Sequence, residues 1–338
     1  MAYCFRRRKR YRLLKFILFI SLVSILLIPL LSEFRVPEIK EIGINEDTVR
    51  VRLYLHEEKR TVELGLEEYL VGVVAAEMSV SFPLEALKAQ AVAARTYAVK
   101  RLQIPDPRIK NMDLRADLTS DSTINQAWIS SAQMQERWGK QHYLGRKNII
   151  TQAVLETRGE VLIYEGQLID PVYFSSCGGR GTEDSGNVWK YDIPYLQAVP
   201  CSGHPNGNKE AVHVFKISEV NTLVGSKLAA LPSGKSSAQP AGVKTLEKSE
   251  AGRIKSLQFG GKTLSGEELR SRIGLPSTIF SMEVVGGNIK FSSVGYGHGV
   301  GMCQYGAAAR AEEGKNYLEI LKYYYQGVEL ATVKSRPQ

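Results

Sequence analysis

Hydrophobic and polar residues alternate along the segment that follows the first 48 residues. Residues 49–64, VRVRLYLHEEKRTVEL, carry this alternation on both sides of the polar stretch 56–59. A period of two residues is that of a half-buried strand, so the pattern predicts a β-hairpin with its turn at 56–59. Residues 160–176 predict two further strands around a turn at 165–166, and strands are also expected at 281–294.

The spacing of apolar residues changes to that of a helix directly after this hairpin. Leu66, Leu70, Val73 and Glu77 follow one another at intervals of three or four residues, which places them on one face of a helix. A proline interrupts the pattern, and a second helix is expected over 83–102. The inner face of that helix is a row of small residues, which favours close packing.

The order of these elements indicates an α+β fold rather than a regular β-α alternation. Residues 231–243, LPSGKSSAQPAGV, have the composition of a linker, and a hairpin followed by a helix is expected after them. We therefore predict a core domain made of residues 34–211 and 293–338. Residues 212–292 are predicted to form a smaller subdomain that is inserted into this core.

A basic tail and an apolar run precede the predicted core. Residues 1–15 contain seven Lys or Arg and no acid, and residues 16–31 are apolar apart from two serines. Counted from Leu13, the run would span roughly 28 Å as a helix, near the thickness of a bilayer core. The flanking residues lack a small-residue cleavage site, which favours an uncleaved anchor over a cleaved signal peptide. Residues 1–33 are therefore predicted to be a cytoplasmic tail and a transmembrane helix, with the body outside the cytoplasm.

The charge of the body excludes one class of function. The net charge of +9 falls to +2 once the seven basic residues of the tail are set aside. A nearly neutral body has no large electrostatic surface for nucleic acid. No nucleic-acid partner is therefore expected.

Three of the four cysteines, Cys177, Cys201 and Cys303, lie in the predicted extracytoplasmic body. An oxidising compartment allows one disulfide there and leaves one thiol over. Cys177 with Cys201 is the expected pair, as a disulfide or as two neighbouring thiols. His298 lies near Cys303 in sequence, but no His-x-x-x-His or Cys-x-x-Cys spacing accompanies them. No metal site and no cofactor are therefore predicted.

Two charged residues on the predicted helices are candidates for chemistry. A carboxyl on the apolar face that carries Glu77 loses solvation of its charged form, so its pKa should rise, as an acid for glycosidic bond cleavage requires. The alternative is a helix-end glutamate that reaches water or a backbone amide. Arg95 is expected to bind an anionic group of the substrate or to position Glu77. The alternative is a solvated charge on the helix surface. Tyr97 is either a substrate contact or a core residue.

Two glycine-containing segments are candidates for a substrate groove. Residues 294–306, VGYGHGVGMCQYG, hold five glycines and do not match a phosphate-binding loop. We expect these glycines to allow close approach of a sugar chain, with polar and aromatic contacts from His298, Gln304 and Tyr305. The segment FSSCGGRG is expected to line the same groove. The alternative is that Cys177 is a nucleophile and His298 its base.

Three blocks of the chain together closely resemble the stage II sporulation protein D family. They are AAEMSVSFPLEALKAQAVAARTYA at 75–98, FSSCGGR and NVWKYDIPYLQAV within 174–199, and GYGHGVGMCQYGA at 295–307. The resemblance covers most of the chain after the predicted anchor. It implies a membrane-anchored lytic transglycosylase of endospore-forming bacteria, which cuts peptide-stripped peptidoglycan strands between the mother cell and forespore membranes during engulfment. It assigns the catalytic carboxyl to Glu77 and a catalytic role to Arg95.

The motifs and the resemblance also define the predicted substrate-binding positions. These are Tyr97, Ser175, Ser176, Gly178, Gly179, Lys190, Tyr191, His298, Gln304 and Tyr305. The implied partners are glycan strands, the membrane, a sporulation peptidoglycan amidase and a further membrane protein of the engulfment complex. Members of the family usually have Ser at the position of Cys303. Some relatives bind a structural zinc, but residues 103–150 contain no cysteine here, so that metal is not carried over.

Other activities on the same polymer stay open from the sequence alone. A lytic transglycosylase needs one acid, whereas a hydrolase would need a second carboxylate about 5–9.5 Å away. Asp121, Glu183 and Asp184 are the candidates for that carboxylate. A muramidase-type hydrolase, a cysteine-dependent peptidase or amidase, and a non-catalytic glycan-binding scaffold are the alternatives.

Overall fold

A computed structural model describes residues 49–333 except 190, 202, 205–209, 233 and 238–240. Helices and short strands are mixed in it without regular alternation, so the α+β class is confirmed. The predicted tail and anchor, residues 1–33, lie outside the described residues. Within the described part, no helix combines the length and apolar character needed to cross a membrane.

The first half of the chain consists of helices flanked by small sheets. Its elements are β1 (Arg50–Leu55), β2 (Arg60–Gly65), α1 (Leu66–Glu77), α2 (Leu84–Gln103), α3 (Pro107–Lys110), β3 (Leu118–Thr119), α4 (Ser131–Trp138), α5 (Lys140–Glu156), β4 (Glu160–Tyr164), β5 (Gln167–Leu168), β6 (Tyr173–Phe174) and α6 (Ser185–Trp189). The predicted hairpin and the two predicted helices are confirmed. Helix α4 was not predicted, although it begins with a capping box at Ser130 and Gln133.

The second half is richer in strands. Its elements are β7 (Glu210–Lys216), α7 (Ile217–Val224), β8 (Ser236–Ser237), β9 (Val243–Lys248), β10 (Ile254–Phe259), β11 (Lys262–Ser265), α8 (Gly266–Ile273), β12 (Phe280–Val285), β13 (Asn288–Val294), β14 (Met302–Cys303), α9 (Gln304–Glu312), α10 (Tyr317–Tyr324) and β15 (Glu329–Thr332). The hairpin and helix expected after the linker are β10, β11 and α8. The strands expected at 281–294 are β12 and β13.

Five small sheets connect these elements. Their strand orders are β2-β1-β3, β15-β4-β5, β14-β6, β7-β13-β12-β8 and β11-β10-β9. The β14-β6 pair is parallel and aligns Met302 with Tyr173 and Cys303 with Phe174. This short pair therefore holds the start of α9 against the segment that follows β6.

The described residues bury two separate hydrophobic cores. In the first, the small residues of α2, including Ala91, Ala94 and Ala98, are fully buried, and α1, α5, α9 and α10 pack around them. Small side chains let these helices approach α2 closely. The second core draws its buried residues from between Ile217 and Phe291. The chain enters this second region along β7 and leaves it along the adjacent antiparallel strand β13.

Candidate active site

Glu77 is the last residue of α1. Met78 has extended backbone angles, φ −118° and ψ 150°, and its N–H caps the helix by donating to the carbonyl of Val74. The apolar stripe predicted on this helix is buried, and the Glu77 side chain at its end is only partly buried. The helix therefore carries a carboxyl from the core to the surface.

The segment after β3 crosses α1 and supplies a hydrogen bond to this carboxyl. Ile129 N donates to the carbonyl of Gly72 at 3.3 Å, and a Cβ at Gly72 would overlap the indole of Trp128. The close crossing brings the N–H of Ala127 to within 2.7 Å of Glu77 Oε1. The glycine in α1 is thus required for the contact that orients Glu77.

The carboxyl of Glu77 is surrounded by neutral polar groups. Burial raises its pKa above the ordinary value, while the hydrogen bonds from Ala127 N–H and the Gln304 side chain oppose that rise. Tyr173 of β6 lies beside the same carboxyl. Within the described residues, no lysine, arginine or histidine forms an ion pair with it. The raised pKa predicted for Glu77 is confirmed in direction.

Side-chain amides from the segment between β3 and α4 bond to tyrosines near Glu77. Gln126 accepts a hydrogen bond from Tyr173 Oη at 2.9 Å and donates to Tyr69 Oη at 3.0 Å. Asn125 donates to Tyr97 Oη at 2.8 Å. Tyr97 is therefore a partly buried residue whose hydroxyl is bonded to Asn125, and no hydrogen bond joins it to Glu77 among the described residues.

A cavity of about 360 Å³ opens beside Glu77. Its wall consists of residues 75–81 with Arg137, Trp138 and Arg146. Arg137 Nη1 donates to the carbonyl of Ala75 at 3.0 Å, which fixes α4 against the end of α1. Glu77 thus lines a space that two arginines also border.

The glycines of residues 294–306 pack against other parts of the protein. Gly295, Gly297, Gly299 and Gly301 all have positive φ angles, between 73° and 109°. A Cβ at Gly301 would overlap the carbonyl of Val172, and one at Gly299 would overlap the guanidinium of Arg253. The expectation that these glycines serve a sugar chain is therefore corrected, because protein atoms occupy the space beside them.

His298 is held by hydrogen bonds at both ring nitrogens. Its Nδ1 accepts from Val300 N at 3.2 Å, which leaves Nε2 to donate to the carbonyl of Tyr173 at 3.1 Å. The ring lies between Phe174 and Trp189, with centroid distances of 5.5 and 5.4 Å. Burial lowers the pKa of His298 to about 4. The neutral His298 ring, hydrogen-bonded at both nitrogens, holds the loop in its fold. Both nitrogens are therefore in use, and His298 does not act as a base for Cys177.

Two serines join the segment after β6 to the glycine-rich loop through their main chains. Ser175 O accepts from Tyr305 N at 3.1 Å, and Ser176 N donates to Tyr296 O at 3.0 Å. The Tyr305 ring packs edge-on against Phe82 at 5.1 Å. These contacts bring the predicted positions of both segments together beside α9.

The remaining predicted substrate positions differ in packing and exposure. Gly178 and Gly179 have φ angles of 66° and 72°, and a Cβ at Gly178 would overlap the side chain of Val294. Tyr191, 63% exposed, follows α6. Lys190 lies outside the described residues. Among the predicted substrate positions that the structure describes, Gln304 is the one that contacts the Glu77 carboxyl.

The structure places Arg95 away from the Glu77 carboxyl. Its side chain is fully buried, with Nη2 and Nε lying 2.5 and 2.9 Å from the carboxylate of Glu67. It also donates to the carbonyls of Val154 and Glu160. No substrate reaches a guanidinium enclosed in this way, so the predicted catalytic contact of Arg95 is corrected and we propose a structural role.

The three candidates for a second carboxylate are bonded to groups other than Glu77. Asp121 accepts from Thr123, Glu183 accepts from Ser249 and Asn187, and Asp184 accepts from Ala198 N. Glu183 is 2% exposed. These contacts disfavour a two-carboxylate hydrolase.

Cys177 and Cys201 adopt one of the two expected arrangements, that of neighbouring thiols. Cys177, Cys201 and Cys303 are free, and they lie around His204. A disulfide between Cys177 and Cys201 is therefore absent from the described residues, although the two thiols are neighbours as expected. Cys177 is fully buried and its imidazole neighbour is His204, so the nucleophile with His298 as base is not formed.

Several residues of the site were missed by the sequence analysis. Gln126, Ala127 and Tyr173 contact Glu77 or its neighbours, and the first two lie between β3 and α4, where no element was predicted. The signal was the pair of side-chain amides in TINQAW, a polar pair followed at once by a tryptophan. His204 was also missed, although it follows Cys201 at a Cys-x-x-His spacing.

Comparison with known proteins gives matches along most of the chain. The family model described as SpoIID, stage II sporulation protein, matches residues 54–164. The chain is 35% identical to stage II sporulation protein D of Bacillus amyloliquefaciens over 86% of this chain and 81% of that protein. It is also 35% identical to stage II sporulation protein D of Bacillus subtilis (strain 168), over 84% and 79%. It is 30% identical to the amidase enhancer of Bacillus subtilis (strain 168), over 78% of this chain and 40% of that protein.

Proposed function

The chain belongs to the stage II sporulation protein D family, and from this premise we propose that it is a lytic transglycosylase that cleaves peptide-stripped peptidoglycan strands during spore engulfment. The observation that carries the proposal is the partly buried Glu77 carboxyl, which has no cationic partner among the described residues and borders a cavity. Such a carboxyl keeps its proton closer to neutrality than an exposed one, as a general acid must.

In the proposed reaction, one carboxyl performs both proton transfers. Glu77 donates its proton to the oxygen between N-acetylmuramic acid and N-acetylglucosamine, and the bond from that oxygen to muramic C1 breaks. The carboxylate then removes the proton from the C6 hydroxyl of the same muramic residue. The C6 oxygen bonds to C1 and closes a 1,6-anhydro ring, while Glu77 regains its proton. The atoms balance without water.

The hydrogen bonds from Ala127 and Gln304 favour the charged form of Glu77, whereas the bond from Tyr173 to Gln126 supports a protonated carboxyl. Gln126 Nε2 donates to the carbonyl of Ala94 at 3.2 Å, so its Oε1 is the atom that accepts the hydroxyl proton of Tyr173. A tyrosine has one such proton, and its oxygen is then left as an acceptor toward Glu77. A protonated carboxyl can donate to that oxygen, whereas a carboxylate would meet only lone pairs.

Two arginines of the cavity support a preference for peptide-stripped strands. Removal of the stem peptide leaves a free lactyl carboxylate on each muramic residue. Guanidinium groups bind carboxylates through paired hydrogen bonds, and Arg137 and Arg146 line the cavity beside Glu77. A strand that still carries stem peptides lacks this charge and has a bulky group in its place.

The proposed location is outside the cytoplasm, between the mother cell and forespore membranes. The apolar run at residues 16–31 and the basic tail before it support a single-pass membrane protein with a cytoplasmic N-terminus. A sporulation peptidoglycan amidase would supply the stripped strands, and the relative named amidase enhancer supports such a partner. A further membrane protein of the engulfment complex is proposed from the family resemblance.

Product analysis tests this function. The full-length protein, purified in detergent, is incubated with peptide-stripped glycan strands, and the products are identified by mass spectrometry. Anhydro-muramic ends are expected. Reducing ends would identify a muramidase, stem peptides released from intact peptidoglycan would identify an amidase, and strand binding without cleavage would identify a scaffold. Each of these three results would overturn the proposed reaction.

A further inference from the structure

Three thiols and one imidazole meet in the first hydrophobic core. Cys177 lies in the turn after β6, Cys201 and His204 lie in the segment after α6, and Cys303 ends β14. All four side chains are buried, with at most 6% exposure. Their sulfur and nitrogen atoms all lie within 4.8 Å of one another. Three segments that are distant in sequence thus converge on one point.

The distances in this cluster are those of a tetrahedral ligand set. The sulfurs of Cys177, Cys201 and Cys303 lie 3.2, 3.4 and 3.9 Å from His204 Nε2. Zinc bonds of about 2.3 Å to sulfur and about 2.0 Å to nitrogen place tetrahedral ligand atoms roughly 3.5–3.8 Å apart. The three sulfur-to-nitrogen separations lie close to these values, and no two ligand atoms are more than 4.8 Å apart, so side-chain adjustments of about 1 Å would bring all four to bonding distance.

The surroundings of the sulfurs are suited to thiolates. Cys303 Sγ accepts from the N–H groups of Cys177 and Gly306, each at 3.3 Å. Cys201 Sγ lies 3.2 Å from Tyr324 Oη. Such hydrogen bonds to ligand sulfurs orient metal ligands and lower the basicity of the thiolates. A Cβ at Gly306 would overlap both Cys201 Sγ and Tyr324 Oη, so a glycine is needed where α9 begins.

The two other roles open to buried cysteines do not account for this arrangement. A disulfide would join two sulfurs and leave the third thiol against the imidazole. A nucleophile needs access to substrate, and Cys177 and Cys303 are both fully buried. A metal ion uses all four groups at once. Thiolates with one imidazole in tetrahedral geometry suit zinc among the divalent metals.

We propose that Cys177, Cys201, His204 and Cys303 bind one structural Zn²⁺ ion. All four positions around the metal are filled by protein groups, which is typical of a structural site rather than a catalytic one. The proposal concerns metal content and stability, and it holds whether or not Glu77 performs the reaction proposed above.

The bound metal also has a consequence for the candidate active site. Cys303 immediately precedes Gln304, the residue whose side chain contacts the Glu77 carboxyl. Cys177 follows the strand that carries Tyr173, the other neighbour of that carboxyl. A metal would join these two segments to the segment of Cys201 and His204. It would thereby hold Gln304 and Tyr173, the two side-chain neighbours of Glu77, in position.

Metal analysis of the full-length protein in detergent tests the proposal. We expect about one zinc per chain in the wild type, and less than about a tenth of that in His204→Ala and Cys177→Ser. The matched controls are His56→Ala and Cys4→Ser, which should keep the full content. Cobalt substitution of the wild type should give the visible bands of tetrahedral Co²⁺ and a sulfur-to-cobalt charge-transfer band for three thiolates.

Cys303→Ser keeps the test decisive where other variants fail to fold. Serine is a good helix N-cap and can accept the hydrogen bond from Gly306 N that Cys303 now accepts, so this variant should fold. Its zinc affinity should fall by at least about 10²-fold, with a cobalt spectrum of two thiolates. A folded wild type that binds no zinc after reduction and addition of Zn²⁺, or a Cys177–Cys201 disulfide in the native protein, would overturn the proposal.

Discussion

The two ends of α1 each carry a glutamate, one buried and one partly buried, and the neighbours of the two carboxyl groups differ. Glu67, in the first turn, is 2% exposed and paired with the fully buried guanidinium of Arg95. The positive end of the helix dipole also favours a negative charge there. Glu67 thus links α1 to α2 as an ion pair, and Arg95 extends that link to the carbonyls of Val154 and Glu160.

At the other end of α1, no cation in the described part of the chain holds the charge of Glu77. Its neighbours are the N–H of Ala127, the amide of Gln304 and the hydroxyl of Tyr173. The negative end of the helix dipole opposes ionisation there, in the same direction as burial. Glu67, which pairs with a guanidinium, is therefore structural. Glu77, on the same helix but without such a partner among the described residues, is suited to proton transfer.

The largest expected effect is that of removing the proton donor. Glu77→Gln keeps the shape and a hydrogen-bond acceptor but can neither donate nor remove a proton. Because acid–base help is worth about 10²–10⁴-fold, formation of anhydro-muramic ends should fall by at least that factor, with strand binding kept. The rate is measured on stripped strands, and Glu68→Gln, exposed on the same helix, is the control. A rate near that of the wild type would remove Glu77 from the reaction.

The same variant should change the pH dependence of stability. The pKa of Glu77 is raised from the ordinary 4.5 in the folded protein, so the folded state binds this proton more tightly than the unfolded state. Stability from this group is fully present below 4.5 and is lost as pH rises through the folded pKa. Glu77→Gln should therefore match the wild type at acidic pH and be more stable at neutral pH in denaturant unfolding. A variant less stable at neutral pH would contradict a raised pKa.

The opposite result is expected at the paired end of the helix. Arg95→Ala leaves Glu67 buried without its partner, which typically costs about 3–5 kcal/mol. The free energy of unfolding, measured with denaturant, should fall by that amount. Replacing both charges by apolar residues, as in Glu67→Leu with Arg95→Met, should recover most of the loss.

A control on α2, the helix that carries Arg95, separates the effect of burial from that of charge. Arg101 pairs with Asp170 at 2.9 Å, but its side chain is 27% exposed. Arg101→Ala should cost less than about 1 kcal/mol, because partly exposed ion pairs contribute little. Loss of activity in Arg95→Ala with unchanged stability would return Arg95 to the reaction and break the contrast between the two ends.

His298 extends the comparison to a partly buried group that stays neutral. Its pKa is lowered from 6.5 to about 4, so the unfolded state binds the proton more tightly. The stability it contributes is full above 6.5 and is lost as pH falls toward about 4. The total is at most about 3.5 kcal/mol, since each pKa unit corresponds to about 1.4 kcal/mol. His298→Gln should flatten the fall in unfolding free energy across that window, and an unchanged slope would contradict a partly buried, neutral ring.

The elements that depend on local pattern could be predicted from the sequence. The hairpin at 49–64 and the helix ending at Glu77 follow from the spacing of apolar residues. The raised pKa of Glu77 follows from its place on that stripe. These features depend on residues within one or two turns of each other.

The features that depend on distant partners could not be predicted. Arg95 and Glu67 are 28 positions apart, and no periodicity shows that their side chains meet. The glycines of 294–306 do need positive φ angles, but the sequence does not show that Val172 and Arg253 occupy the space beside them. The ligand cluster joins Cys177 to Cys303 across 126 positions, and the spacing from Cys201 to His204 was its one local signal.

The smallest effect is expected from a cation that borders Glu77 without pairing with it. Arg146 lines the same cavity, and the proposed lactyl carboxylate would give its guanidinium a charged partner. Hydrogen bonds to charged groups are worth about 1.5–3 kcal/mol, so Arg146→Ala should raise KM for stripped strands by roughly 10-fold or more, with little change in kcat. Lys147→Ala removes the same charge from the next position of α5, which is outside the cavity wall, and should leave KM unchanged. Strands whose lactyl carboxylates are amidated should bind wild type and Arg146→Ala equally, because the charge that distinguishes them is gone. An Arg146→Ala variant that keeps the KM of the wild type would show that the cationic wall does not select the substrate.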